Sequence, residues 1–417
     1  MPETNQTSSL FWIDPETGIC TTYNDLLKDV RTVKSIHKYL KNRNTYLLYV
    51  DIITSMLTNN EYILLDPDWS ASELENLGIT ETNLSESVDI SSYHINSIDE
   101  LFESISLSKM WKLGFFTSGT TGRPKFISHY LSVLARNVKT GDKFSSNQWG
   151  FCYNPTHFAG IQVFLQALFN KNTMVDMFSI KYGRAEEALK KYAITHISAT
   201  PTYYRSIYPY LHDTYPLVER ITFGGEMFDN QIAQRMTQYF PNAKFTNVYA
   251  STELGSILAG KGKTLKISEQ FADRIRISDE GELIVHTSLM GKTPDLGEKE
   301  WFFTGDLVKR ETDGTLQFIS RKSEMVNVGG YKVNPHEIEE IILELPEVRD
   351  VIVYGRDNRI TGKIIFADIT LNNSVNDDPE RRIQEYLKSR VQPWKIPRMI
   401  RIVDEIDQTR TGKKVRK

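Results

Sequence analysis

The sequence predicts an α/β fold, with a large N-terminal domain built on parallel strands, a small β region, and a compact α+β C-terminal domain. Three patterns predict it. Strand-length apolar runs alternate with helix-length stretches up to about residue 260, helices then cease between about 262 and 320, and a separate strand–helix set follows Arg321. Alternation with short connections favours parallel strands joined by crossover helices.

Within residues 1–105, the runs Tyr46-Leu47-Leu48-Tyr49-Val50 and Tyr62-Ile63-Leu64-Leu65 read as strands, and Leu26 to Leu40 as a helix. The pattern continues with a helix around 159–170, a strand around 172–178, a helix over 184–192 and a strand over 194–199. A strand Arg220-Ile221-Thr222-Phe223 meets Gly224-Gly225, followed by a helix over about 229–239 and a strand over 244–249. Glu282 to His286 and the turn Asp313-Gly314 mark the antiparallel β region. Beyond Arg321, Pro335 to Leu343 has proline near a helix start and apolar residues on one face. Strands at 349–354 and 363–369 and a helix at 379–390 complete a domain of just under 100 residues. The division is therefore 1–320 and 321–417.

Composition narrows the class. The chain has 417 residues, is 40% hydrophobic and 25% charged, and carries a formal net charge of −3, which gives no global field for nucleic acid or an anionic membrane. No stretch approaches the roughly 18 apolar residues of a membrane span. The first fifteen residues are polar and acidic, without the pattern of a secretory signal. Cys20 and Cys152 stand far apart, and the eight histidines form no metal spacing. These features predict a cytoplasmic enzyme with no disulfide scaffold.

The most informative stretch is Phe115-Phe116-Thr117-Ser118-Gly119-Thr120-Thr121-Gly122-Arg123-Pro124-Lys125. Glycines let several N–H groups turn toward one anion, hydroxyls add donors, and Lys125 adds a point charge suited to phosphate. The Gly-x4-Gly-Lys-Ser/Thr spacing of a Walker loop is absent. The reading is a phosphate loop of another kind, with a helix from Tyr130 to Val138 whose N-terminus would assist. Further along, Asn247-Val248-Tyr249-Ala250-Ser251-Thr252-Glu253 places an aromatic, a hydroxyl and a carboxylate at the end of a strand, where ligands gather in parallel sheets. Trp301 to Asp306 offers a carboxylate suited to a ribose diol, Arg321 to Lys332 forms a glycine-containing joint, and Thr409 to Lys413 puts a lysine on a loop. Taken singly, each also reads as a turn, a capping carboxylate or a solvated charge.

In this order, the motifs resemble the adenylate-forming superfamily of acyl-CoA synthetases, peptide adenylation domains and luciferases, from about residue 111 to the C-terminus. The resemblance implies activation of a carboxylic acid with MgATP to an acyl-adenylate and pyrophosphate, then transfer to a thiol. It places Thr117, Ser118, Gly119, Thr120, Thr121, Gly122 and Lys125 on the β- and γ-phosphates, Thr252 on the α-phosphate and Glu253 on Mg²⁺. Tyr249 would stack on adenine, with Asn247 and Gly224-Gly225-Glu226 along its edge. Asp306 and Arg321 would hold the ribose, and Lys413 would bridge the acid carboxylate and the α-phosphate. The resemblance also implies a mobile C-terminal domain hinged at Ser323, with Gly330 and Lys332 on the path of the incoming thiol.

Several positions depart from the family pattern. Phe126 replaces a glycine, Ser323 an aspartate or lysine, Lys332 an arginine, Asp407 a proline and Ala250 a glycine at the pocket base. His157 takes the gate position beside the reacting acid, although a satisfied core histidine would look the same. Phe158 falls where amino-acid-activating domains place an aspartate for the α-ammonium. Burying that cation unpaired is costly, so an aryl or aliphatic acid without an α-amino group is expected. About 115 residues precede the phosphate loop, fewer than in most relatives and similar in economy to ligases of the o-succinylbenzoate type. The expected acceptor is CoA. The alternatives are the phosphopantetheine of an acyl carrier protein loaded by a stand-alone adenylation enzyme, and a non-catalytic adenylate binder.

Overall fold

The computed structural model describes residues 9–117, 124–293, 299–358, 362–372, 378–408 and 414–416. Six parallel strands form the middle of the large domain, in the spatial order Leu10–Ile13, Thr173–Asp176, Gln148–Phe151, His196–Ala199, Arg220–Gly224 and Lys244–Ser251. Successive residues serve opposite faces: Trp12 and Met174 enter one core, and Ile13 and Val175 the other. Helices Tyr23–Thr32, Thr45–Ser55 and Phe158–Leu168 cover the first face, and Ala185–Lys191, Pro201–Ile207 and Asn230–Met236 the second. Burial on both faces is why Phe11-Trp12-Ile13 and Met174-Val175 are consecutive apolar residues.

Two sequence expectations give way in the N-terminal region. The run 46–50 lies inside the helix Thr45–Ser55, not in a strand, with Asn44 as its N-cap accepting from the Leu47 N–H at 3.0 Å. Leu48, Tyr49, Val50, Ile52 and Ile53 are all buried, and a helix apolar on every side has no period to distinguish it from a buried strand. The helix read over 26–40 is Tyr23–Thr32, opened by a Thr22–Asp25 capping box, and the chain then makes the short strands Ser35–His37 and Tyr39–Leu40.

The antiparallel region lies where the sequence places it. Gly255–Gly260 pairs with Lys244–Ser251, and Thr264–Ile267, Leu316–Arg321, Trp301–Arg310, Glu282–His286 and Ile275–Ile277 continue edge to edge. The region therefore extends the main sheet. A second sheet holds Tyr39–Leu40, Glu61–Leu64, Lys112–Thr117 and Lys125–Tyr130, the last pair antiparallel.

Residues from Val326 to Ile400 share a core of their own, formed by the antiparallel pair Val348–Asn358 and Gly362–Leu371, shorter strands, and helices Pro335–Leu343 and Pro379–Lys388. Pro335 opens its helix as predicted, with Asn334 accepting from the His336 N–H at 3.1 Å. Buried Glu339 takes the Val353 N–H at 2.7 Å and pairs with Arg416 at 2.6 Å and His336 at 3.1 Å.

Candidate active site

Thr117 and Lys125 are cross-strand partners at the open end of the hairpin Lys112–Thr117/Lys125–Tyr130, so the phosphate-loop residues span that hairpin. This corrects the expected helix N-terminus: the chain returns as a strand, and the following helix is only Leu131–Leu134. Ser118, Gly119, Thr120, Thr121 and Gly122 lie outside the described residues, as does Lys413. At the hairpin's mouth, the buried Thr117 Oγ1 has no hydrogen-bond partner among the described residues. A buried hydroxyl in that state suits a ligand oxygen. Phe126 also finds its reason here. Its ring packs at 5.4 Å from Phe116, which meets Trp69 at 5.7 Å, and it covers Gly114 so closely that a Cβ there would lie 2.5 Å from it.

Strand Lys244–Ser251 carries a bulge between Tyr249 and Ala250 and then turns through Thr252 and Glu253. A bulge of this kind re-aims side chains at the end of a strand. His129, on the returning hairpin strand, bonds through Nε2 to the Thr252 carbonyl at 2.6 Å. Its ring lies between Phe115 and Phe158, and burial pushes its pKa down to about 4, so the ring is neutral and donates from Nε2. The Gly291 N–H bonds the Glu253 carbonyl at 2.9 Å, while Arg136 holds the carbonyls of Leu254 and Leu289. The Thr252–Glu253 turn is thereby pinned to the phosphate hairpin. Sequence reading missed both His129 and Arg136.

The carboxylate of Asp306 is 3% exposed and is held from two sides. Tyr249 donates its hydroxyl to Oδ2, and Arg321 Nε donates to Oδ1 at 2.9 Å. Burial pushes the Asp306 pKa up, and Arg321 opposes that shift. Each carboxylate oxygen keeps further acceptor capacity. Asn247 gives its amide to the Gly262 carbonyl at 2.9 Å, which fixes the adjoining turn. Gly225, at φ +82°, lets the chain leave the strand ending at Gly224, and the Glu226 carboxylate takes the Thr202 N–H at 3.0 Å and its hydroxyl at 2.9 Å.

His157 is the N-cap of helix Phe158–Leu168, and its Nε2 is 3.9 Å from the buried Asp66 carboxylate. Phe158 is buried against Phe115 and His129. Ala250 sits at the bulge, opposite Ser256. Asp66 was missed because it follows an ordinary buried strand 91 residues before His157 (157 minus 66). In the joint, Ser323 lies in the exposed turn Lys322–Glu324, and Gly330, at φ +91°, precedes exposed Lys332.

A hairpin mouth, a hydroxyl–carboxylate turn after the last parallel strand and a buried carboxylate on an antiparallel strand are the groups the structure offers to a ligand. Comparison with known families agrees. Residues 113–281 match the model described as AMP-binding enzyme, and residues 337–413 the AMP-binding enzyme C-terminal domain. The chain belongs to the adenylate-forming superfamily. It is 26% identical to human mitochondrial acyl-coenzyme A synthetase ACSM1 over 353 residues, 73% of this chain and 60% of that protein. It is 23% identical to the 2-succinylbenzoate–CoA ligase of Lactococcus lactis over 72% of this chain and 69% of that protein. The match thus spans about 60% of the length of the acyl-coenzyme A synthetase. Among solved structures, the fold is shared with o-succinylbenzoate CoA synthetase (MenE) from Bacillus subtilis, with TM-score 0.70, 18% identity and 99% and 95% of the two chains covered. It is also shared with ATP-bound MatB from Rhodopseudomonas palustris, with TM-score 0.75, 16% identity and the same coverage.

Proposed function

We propose that this protein is an acid–thiol ligase that converts a non-amino carboxylic acid and ATP to an acyl-adenylate and pyrophosphate, and then passes the acyl group to CoA. The carrying observation is the bonded continuity of the site: His129 ties the phosphate hairpin to Thr252–Glu253, and Tyr249, three residues earlier, meets Asp306 and Arg321. In this reading, Thr117, Lys125 and the hairpin residues 118–122 hold the β- and γ-phosphates, Thr252 meets the α-phosphate, and Asp306 accepts from the ribose. Asn247, Tyr249 and the turn 224–226 border the adenine. The acid's carboxylate oxygen attacks the α-phosphorus, the bond to the pyrophosphate oxygen breaks, and Lys413 meets the charge that develops. The CoA thiol then attacks the acyl carbon, and AMP leaves with the carboxylate oxygen.

Among the described residues no three-carboxylate or His/Cys cluster could cage a metal. A single carboxylate sharing a cation with phosphate oxygens suits Mg²⁺, and Glu253 would supply it. Bound there, Mg²⁺ neutralises phosphate charge. We place the adenylation domain at 1–320 and the C-terminal domain at 321–417, with Ser323 as the hinge and Gly330 and Lys332 along the thiol path. His157 and Phe158 bound the acid pocket, with Ala250 at its floor. The buried Phe158, where an ammonium partner would be needed, supports a substrate without an α-amino group.

The test is ATP–pyrophosphate exchange across benzoate, 2-succinylbenzoate, anthranilate, octanoate and phenylalanine, followed by CoA addition. Exchange with a non-amino acid and a thioester with free CoA are expected; no exchange with any acid defeats the reading, and transfer only to a holo carrier protein moves the acceptor. Lys413→Ala should abolish exchange yet leave thioester formation from supplied acyl-adenylate. An equal fall in both half-reactions would remove Lys413 from the first step alone.

A further inference from the structure

Away from the nucleotide residues, one buried ionic cluster crosses between the two domains. Arg205, on helix Pro201–Ile207, is 9% exposed and donates from Nη1 to Asp229 Oδ2 at 2.7 Å and from Nη2 to the Thr202 hydroxyl at 2.9 Å. Its Nε stands 3.1 Å from Oδ1 of Asp350, on the small-domain strand Val348–Asn358, an ion pair by distance without hydrogen-bond geometry. The same Oδ1 receives the Lys414 ammonium at 2.6 Å, and Lys414 also donates to the Val351 carbonyl at 2.8 Å. Thr202 is itself bonded to Glu226. A continuous chain of contacts therefore runs from the turn at 224–226 to the residue directly after Lys413.

The division of charge in this cluster is unusual. Arg205 has Asp229 as its counter-ion within the large domain, with the Glu226 carboxylate also acting on it, and Asp350 has Lys414 within the small one. Among the described residues of this cluster, the Arg205–Asp350 ion pair is the direct contact that crosses, and the Lys414 charge also favours ionised Asp229. Breaking a buried pair normally strands a charge, which is what makes such pairs hard to open. Here either half keeps its own counter-ion when the domains separate. Asp229 also stays satisfied by the helix N-terminus it caps, accepting from the Gln231 and Ile232 N–H groups at 2.9 and 3.0 Å.

We propose that Arg205 and Asp350 are positioning residues that form a releasable latch. Closed, it holds Asp350 and Lys414 of the small domain against the large domain for adenylation; open, it frees the small domain for thioester formation. The proposal rests on the acid–thiol ligase reading for its kinetic consequence, and on the ionic geometry alone for its structural one.

The experiment compares Arg205→Met and Asp350→Asn, which share only the loss of the crossing contact. The control is Lys263→Ala, which breaks the exposed interdomain pair with Glu340. Exchange is read with whichever of benzoate, 2-succinylbenzoate or octanoate is fastest, and thioester formation with that acid's synthetic adenylate and CoA. Both latch variants should lose at least tenfold in exchange kcat and stay within twofold in thioester formation, while Lys263→Ala stays within twofold in both. Parallel loss of both half-reactions, a loss in only one latch variant, or no loss in either overturns the latch. Small-angle scattering of the ligand-free full chain is the independent arm: both variants should broaden the distance distribution, and profiles identical to wild type overturn the proposal. Wild-type enzyme inactive with every acid would defeat the ligase reading and leave scattering to decide the latch. If one variant fails to fold, by circular dichroism, the other decides.

Discussion

Asp306→Asn isolates the ribose contact. The substitution keeps the side-chain shape and replaces one acceptor oxygen with a donor amide. Two acceptor positions are already taken, by the Tyr249 hydroxyl and Arg321 Nε, so a ribose diol must use the remaining lone pairs. Hydrogen bonds to a charged acceptor contribute roughly 1.5–3 kcal/mol each. Asparagine forfeits the charge and turns one ribose hydroxyl toward an N–H, a loss of about 2–3 kcal/mol, or roughly 30- to 150-fold in ATP affinity at about 1.4 kcal/mol per tenfold. The fold should tolerate the change, because the Arg321 side chain is 45% exposed and water can take over its pairing. The assay is ATP–pyrophosphate exchange with ATP, 2′-deoxy-ATP and 3′-deoxy-ATP. Wild type should discriminate against both deoxynucleotides, and the variant should lose most of that discrimination while its KM for ATP rises. An ATP KM within threefold of wild type, or unchanged deoxynucleotide penalties, would refute the ribose assignment.

Three further outcomes follow from named contacts. His129→Leu removes the donor to the Thr252 carbonyl and should lower exchange kcat about 10- to 100-fold, on the scale of an outer-sphere orienting contact, whereas His129→Gln should recover part of it; equal activity in both variants would show that only ring packing matters. Because the His129 pKa lies near 4, this ring should contribute no inflection to the wild-type rate between pH 5.5 and 8.5. Phe158→Asp should lose the native acid without gaining phenylalanine exchange, since a lone buried carboxylate also disturbs the packing with Phe115 and His129; efficient exchange with both acids would undo the pocket assignment. Glu339→Gln should destabilise the small domain by about 3–5 kcal/mol at pH 7, because Arg416 loses its buried partner. Burial raises the Glu339 pKa, but Arg416 and His336 outweigh it and hold the value well below the usual range. The ionised carboxylate therefore stabilises the fold above the unfolded value of about 4.3, and that contribution is lost as pH falls through the lower folded value. Urea melts should show a wild-type decline below about pH 5 that the variant lacks, and matching declines would refute the role of Glu339.

Much of the site is local in sequence, and that part was legible. The phosphate reading of 115–125 rests on the order of its hydroxyls, glycines and lysine, a pattern that neighbouring residues alone can carry. Tyr249, Thr252 and Glu253 share one strand end, so their proximity is likewise a matter of spacing. Helix starts were read well where a cap or a proline marks them, as at Pro335. The 46–50 run failed because even its exposed position, Leu47, is apolar, so no polar face reveals a helical period.

What the sequence by itself determined is the set of chemical groups and their order, hence the superfamily and the nucleotide chemistry to expect. Only the tertiary structure decided that the phosphate loop spans a hairpin, that His129 reaches Thr252 across 123 residues, and that Arg205 meets Asp350 between domains. The reason is physical. A histidine on a strand or an arginine on a helix carries no local mark of its partner, because that partner is supplied by sheet order and domain packing, which are properties of the whole chain.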